Sequence, residues 1–131
     1  MTTTQTRTRM ILLMLCATAM HAMRANAANF ILKASVTGSG DGQVAWGDYD
    51  NDGDLDLLVV GTTSYGGTSD GIAKIFKYES GTFTEDTDAS SGLYGVVSAD
   101  ADWGDFDNDG DLDLFITGQQ SSDLRSRIYT N

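Results

Sequence analysis

Two short acidic segments contain the side chains best suited to chemistry. Asp-Tyr-Asp-Asn-Asp-Gly-Asp-Leu-Asp occupies residues 48–56, and Asp-Phe-Asp-Asn-Asp-Gly-Asp-Leu-Asp occupies residues 105–113. Carboxylates at positions 1, 3, 5 and 9 can supply calcium ligands, position 7 would add its backbone carbonyl, and glycine at position 6 permits the bend. So many carboxylates repel one another unless a cation lies among them. The sequence predicts two Ca²⁺ sites, with Asp48, Asp50, Asp52, Asp54 and Asp56 in the first and Asp105, Asp107, Asp109, Asp111 and Asp113 in the second.

Three other interpretations of these segments are weaker. A solvated acidic turn would also use Asp, Asn and Gly, but two full copies of so long a motif favour a metal site. Magnesium demands tighter octahedral geometry than calcium and keeps its waters. An EF-hand begins in the same way but needs Glu at position 12, where this chain has Val59 and Ile116 within β-patterned flanks.

The acidic segments belong to a longer repeat. Residues 44–57 recur as residues 101–114 at an offset of 57, while Ile75 matches Ile128 and Phe30 matches Phe83 at an offset of 53. We therefore expect two repeats, residues 28–80 and 81–131. Strands are predicted at 43–46, 56–60 and 72–78 in the first repeat and at 96–103, 113–117 and 125–129 in the second, with only weak helix signals. The apolar run after Asp56 indicates a strand buried on both faces. Units of this size are typical of propeller blades.

Residues 1–27 have the features of a secretory signal peptide. A basic start without acids precedes an apolar run over residues 10–20, and Ala25-Asn26-Ala27 offers a cleavage site before Ala28. A membrane anchor or buried helix, and a mitochondrial transit peptide, are the alternatives. We expect the protein to be secreted or at the cell surface, without a permanent membrane span.

Cleavage before Ala28 would leave 104 residues with 5 basic and 19 acidic side chains, a net charge of −14, and no Cys or His. That inventory excludes zinc sites built on Cys or His, Cys-His nucleophiles and Ser-His-Asp triads. The charge excludes a nucleic-acid partner, which needs a basic face. We therefore expect no enzymatic activity and assign no catalytic residue.

The pattern W-G-D-[YF]-D-N-D-G-D-L-D-L resembles the FG-GAP repeat and its VCBS relative, which form the blades of the integrin alpha-subunit propeller. The resemblance implies an all-β fold of two propeller-type blades, each a four-stranded antiparallel sheet, with Ca²⁺-binding hairpin loops. It also implies a secreted adhesion or ligand-recognition module whose partner is an extracellular protein or glycan. The alternative is an accessory or fragmentary part of a polysaccharide-acting propeller enzyme.

Two blades cannot close a propeller, which takes about four to eight. The chain stops just after a strand that matches residues 75–78, where another blade would begin. We expect either further blades in a longer chain or self-association, and the abrupt end favours the former. Trp46 and Trp103 are expected to pack within the blades, with sugar stacking as the alternative. The variable loops at 62–70 and 119–123 receive no role.

Overall fold

The computed structural model describes residues 30–64 and 71–131, whose strands form two antiparallel sheets. The predicted signal peptide lies outside these residues. The first sheet has the order β1 (Gly40–Gly47), β2 (Asp56–Thr62), β3 (Gly71–Glu79), β4 (Thr82–Asp86). A short helix, α1 (Thr87–Ser91), leads to the second sheet, β5 (Val97–Gly104), β6 (Asp113–Gln120), β7 (Asp123–Tyr129). The all-β prediction is confirmed, and the first sheet has the four strands expected, whereas the second has three within the described part of the chain.

Strand β2 is buried along its whole length, as its apolar run predicts. Alternate side chains point to opposite faces of a sheet. Leu58 and Val60 therefore belong to the core between the two sheets, and Leu57 and Val59 belong to a second cluster on the other face of the first sheet.

The two sheets pack face to face through a shared apolar core. Tyr49 is buried there, and its ring stacks on Trp103 with centroids 6.2 Å apart and planes inclined by 13°. Trp103 thus packs within the core, as expected. Trp46 contacts the ring of Phe83 on the opposite face of the first sheet and remains 55% exposed. The fully assembled core comprises Tyr49, Leu58, Val60, Ala73, Ile75, Val96, Ala101, Leu114 and Ile116.

Both acidic segments connect strands with the same register. Trp46 pairs with Leu57 across β1 and β2, and Trp103 pairs with Leu114 across β5 and β6. Each pair of strands also has a register shift near its far end. The acidic segments are therefore hairpin loops held by equivalent strand ends, as predicted.

Helix α1 is an element that the sequence pattern did not indicate. Asp86 caps it, because its Oδ1 accepts a hydrogen bond from the N–H of Ala89 at 2.9 Å. The other oxygen of Asp86 accepts a 2.6 Å hydrogen bond from the hydroxyl of Tyr49 in the first acidic loop. Among the described residues, no helix has the length and apolar composition needed to cross a membrane.

Candidate metal sites

The two acidic loops share a backbone conformation that their sequences favour. Asn51 and Asn108 have φ values of 58° and 63°, and Gly53 and Gly110 have 93° and 100°. Asparagine and glycine tolerate this left-handed region better than other residues. Within each loop the first aspartate also accepts a hydrogen bond from the glycine N–H, at 3.0 Å in the first loop and 3.2 Å in the second.

The first loop brings the carboxylates of Asp48, Asp50 and Asp56 together, with one oxygen from each within 4.8 Å of the others. Asp56 is completely buried, and its Oδ1 accepts a hydrogen bond from the N–H of Tyr78 at 2.7 Å. Asp56 Oδ2 and Asp48 Oδ1 are buried without a hydrogen-bond partner of acceptable geometry. Buried carboxylate oxygens nearly always have a donor or a cation beside them. This cluster can therefore hold a metal ion.

The electrostatic state of Asp56 reflects the same shortage of positive charge. Burial is the main cause that raises the pKa of its carboxyl group, and the negative charges of Asp50 and Asp52 raise it further. The N–H groups of Tyr78 and Tyr49 lower this pKa, but they do not offset the burial. A bound cation would reverse the balance and favour the carboxylate.

Among the described residues, Lys77 on β3 is the basic side chain that forms ion pairs with the first loop. Its Nζ lies 2.7 Å from Asp50 Oδ2 and 3.5 Å from Asp52 Oδ2. The hydrogen bond to Asp50 is the main cause that raises the pKa of the ammonium group. Sequence analysis missed Lys77. The signal that could have identified it is the offset of 53, which aligns Lys77 with the uncharged Thr130 in the second repeat.

The second loop assembles a different subset of its aspartates. Asp105, Asp107 and Asp109 are exposed and have one oxygen each within 4.8 Å of the others. Partial desolvation is the main cause that raises the pKa of Asp107, followed by the charges of Asp109 and Asp113. Asp113 is buried, and its two oxygens accept hydrogen bonds from the N–H groups of Phe106 and Asn131. This second cluster can also hold a metal ion.

Four predicted ligands lie outside these two groups of three. These four are Asp52, Asp54, Asp111 and Asp113. Asp52 accepts a hydrogen bond from the N–H of Asp54 and forms an ion pair with Lys77. Asp113 accepts hydrogen bonds from backbone N–H groups. Asp111 accepts a 2.6 Å hydrogen bond from Asn51 Nδ2, which joins the two loops directly. The six aspartates that the structure brings together are Asp48, Asp50, Asp56, Asp105, Asp107 and Asp109.

Comparison with known proteins gives no relative: no protein-family model, curated protein or solved structure matches the chain.

Proposed function

We propose that the protein is a secreted, calcium-binding module of the FG-GAP/VCBS type that serves in adhesion or ligand recognition. Ca²⁺ rigidifies its two acidic loops, and the sheets act as propeller-type blades that present a surface to an extracellular protein or glycan. The observation that carries the proposal is the pair of buried, unpartnered oxygens, Asp48 Oδ1 and Asp56 Oδ2, in one carboxylate cluster.

The donor set fits calcium well. It consists of carboxylate and backbone oxygens on a hairpin loop, which is the coordination that calcium prefers and magnesium accepts less readily. Asp48, Asp50 and Asp56 would hold the first ion and Asp105, Asp107 and Asp109 the second, with Asp52, Asp54, Asp111 and Asp113 as the further ligands that the motif implies. The bound ion would supply charge neutralisation and a fixed loop conformation.

The alternative function, an accessory part of a polysaccharide-acting enzyme, rests on the family resemblance alone. Among the described residues, the clustered acids are those of the two loops. These carboxylates are committed as metal ligands under the proposal, so we favour recognition over catalysis.

The substitution Asp56→Asn tests the proposed calcium site. Asparagine keeps an acceptor for the N–H of Tyr78 but removes the buried negative charge. With a chelator present, we expect the variant to melt at the same temperature as the native chain or higher, because the charge is no longer desolvated. With millimolar calcium we expect it to melt lower, because the native chain alone gains the binding energy of the first ion.

Asp41→Asn is the matched control, since Asp41 is exposed, lies outside both loops and has a positive φ that asparagine accepts. It should melt like the native chain in both conditions. A native chain whose melting curve is unaffected by calcium, together with no heat of calcium binding in calorimetry, would overturn the proposed function.

A further inference from the structure

The interface between the two sheets uses a different face of each sheet. Leu58 and Ile75 represent the inward face of the first sheet, and Trp103, Leu114 and Ile116 represent the inward face of the second. This is a heterologous contact, in which two unlike surfaces meet.

Each inward face corresponds to an outward face on the other sheet. At the offset of 57, Trp103, Leu114 and Ile116 match Trp46, Leu57 and Val59, which lie on the outward face of the first sheet. We call this surface the Trp46 face; its exposed apolar side chains are Val44 and Trp46, and it also includes the buried Leu57, Val59 and Phe76, against which Val36, Ile72 and Phe83 pack.

The outward face of the second sheet shows the reverse correspondence. Leu58 matches Phe115 at the offset of 57, and Ile75 matches Ile128 at the offset of 53. In the connecting loop Tyr49 matches Phe106. We call this surface the Phe115 face; it comprises Phe106, Phe115 and Ile128, which line one shallow groove.

On the Phe115 face, burial differs sharply between the matched residues. Tyr49, Leu58 and Ile75 are 9%, 0% and 4% exposed, whereas Phe106, Phe115 and Ile128 are 56%, 42% and 61% exposed. On the Trp46 face, Val44 and Trp46 are 53% and 55% exposed, whereas Leu57 and Val59 are as buried as their matches Leu114 and Ile116. Each chain therefore exposes, on opposite outer surfaces, side chains that match the two sides of its internal interface, and exposed apolar patches of this kind mark interaction sites.

We propose that a second copy of this chain docks head-to-tail, with its Trp46 face on the Phe115 face of the first. The contact continues the internal interface: Phe106 of one copy lies against Trp46 of the next, as Tyr49 stacks on Trp103 within the chain. Because the two faces differ, each copy keeps one free face after pairing, and the assembly grows until it closes into a ring. Closure at about four to eight sheets corresponds to about two to four chains.

The residues before β1 complete the second sheet of the neighbouring copy. Strand β4 pairs with β3, with Phe83 opposite Tyr78, but β7 has no fourth strand beside it among the described residues. At the offset of 53, Phe30 matches Phe83, and Phe30, Ile31 and Leu32 are 103%, 75% and 82% exposed. In the assembly, residues 30–33 of one copy add to the open edge of β7 in the copy that carries the occupied Phe115 face.

Light scattering after gel filtration tests the docking of the two faces. We expect the native chain to give about two to four times the monomer mass. Trp46→Glu and Phe115→Glu each spoil one face at an exposed position, so each variant alone should fall to the monomer mass. Ser122→Glu adds the same charge on the exposed β6–β7 turn and should leave the native mass unchanged. Ile128→Glu provides an independent substitution on the Phe115 face, and circular dichroism checks that every variant is folded.

Mixing the two variants separates head-to-tail docking from a symmetric contact. Trp46→Glu retains an intact Phe115 face and Phe115→Glu retains an intact Trp46 face, so an equimolar mixture should form a dimer of twice the monomer mass. The double substitution Ile31→Pro with Leu32→Pro should weaken association without changing the folded content, because proline cannot donate to a strand ladder. A monomeric native chain, unchanged masses in the variants, or a mixture that remains monomeric would overturn the proposal.

Discussion

Single residues in equivalent positions have different environments in the two loops. Asp56 and Asp113 both end a hairpin loop and accept a hydrogen bond from the backbone N–H of Tyr78 and Asn131, respectively. The second oxygen of Asp113 also accepts a backbone hydrogen bond from Phe106, whereas the matching N–H of Tyr49 makes no hydrogen bond of acceptable geometry to the second oxygen of Asp56. The motif predicted the same five ligands in both loops, and the structure brings three of the five together in each. The motif could not distinguish the loops, because the difference depends on small shifts in backbone position that the letters do not encode.

Lys77 is the residue that distinguishes the sites most directly. A cation that binds Asp50 must displace the Lys77 ammonium group, whereas the second loop has Thr130 at the matching position. We predict that Lys77→Thr strengthens calcium binding at the first site by about two- to fivefold, the range expected for the loss of one partly exposed competing ion pair. The reciprocal variant Thr130→Lys should weaken the second site. Calorimetric titration of both variants measures the change, and unaltered affinities would show that Lys77 does not compete.

The hydrogen bond between Tyr49 and Asp86 makes a prediction about acid stability. The hydrogen bond from the Tyr49 hydroxyl is the largest cause that lowers the pKa of Asp86 below its ordinary 3.8, and the hydrogen bond from the N–H of Ala89 is the next largest. A lowered folded-state pKa stabilises the fold above pH 3.8, and this stabilisation is lost as the pH falls through the folded value. We predict that Tyr49→Phe lowers the free energy of unfolding by about 1–2 kcal/mol at neutral pH. The difference in unfolding free energy between the variant and the native chain should become smaller in acid. Urea unfolding of both chains across this pH range provides the measurement; a difference independent of pH would contradict the assignment.

At the scale of elements, strands were easier to predict than the helix. The apolar run of β2 identified a strand buried on both faces, and all six predicted strands have counterparts. Strand β4 and helix α1 were not located individually. Their segment, Thr82–Ser91, has few apolar residues and no clear period, and it is ordered by Asp86 through contacts with Ala89 and Tyr49. Such long-range contacts are outside the reach of local patterns.

The loop glycines allow a clean test of backbone conformation. An added Cβ at Gly53 or Gly110 would meet no atom within 4 Å, so the cost of alanine comes only from the positive φ. We predict that Gly53→Ala and Gly110→Ala each destabilise the fold by about 1–2 kcal/mol. Gly92→Ala is the matched control, since its site is equally open but has φ of −82°, and it should be neutral or slightly stabilising. Denaturant unfolding with chelator present separates this cost from metal binding, and equal effects at the three positions would rule out backbone strain as the cause.

At the scale of the whole molecule, negative charge opposes the folded state. The chain has 19 acidic and 8 basic side chains, and its two clusters lie on hairpin loops joined by the contact of Asn51 with Asp111. Folding therefore brings like charges close together, and their repulsion opposes the stabilisation that the apolar core provides. The excess of negative charge is read directly from the sequence. The direct contact of the two loops was not predictable, since it depends on how the sheets pack.

This crowding predicts an interaction between salt and calcium. In chelator, sodium chloride should raise the melting temperature, because screening weakens the repulsion among exposed loop carboxylates. In millimolar calcium the same salt series should produce a smaller rise, because the bound ions have already neutralised part of the charge. The double substitution Asp105→Asn with Asp107→Asn removes two exposed charges from the second loop. In chelator it should therefore reduce the rise in melting temperature that sodium chloride produces. Parallel salt series on the native and variant chains measure these slopes, and identical slopes in chelator and calcium would show that the loop charges do not control the stability of the molecule.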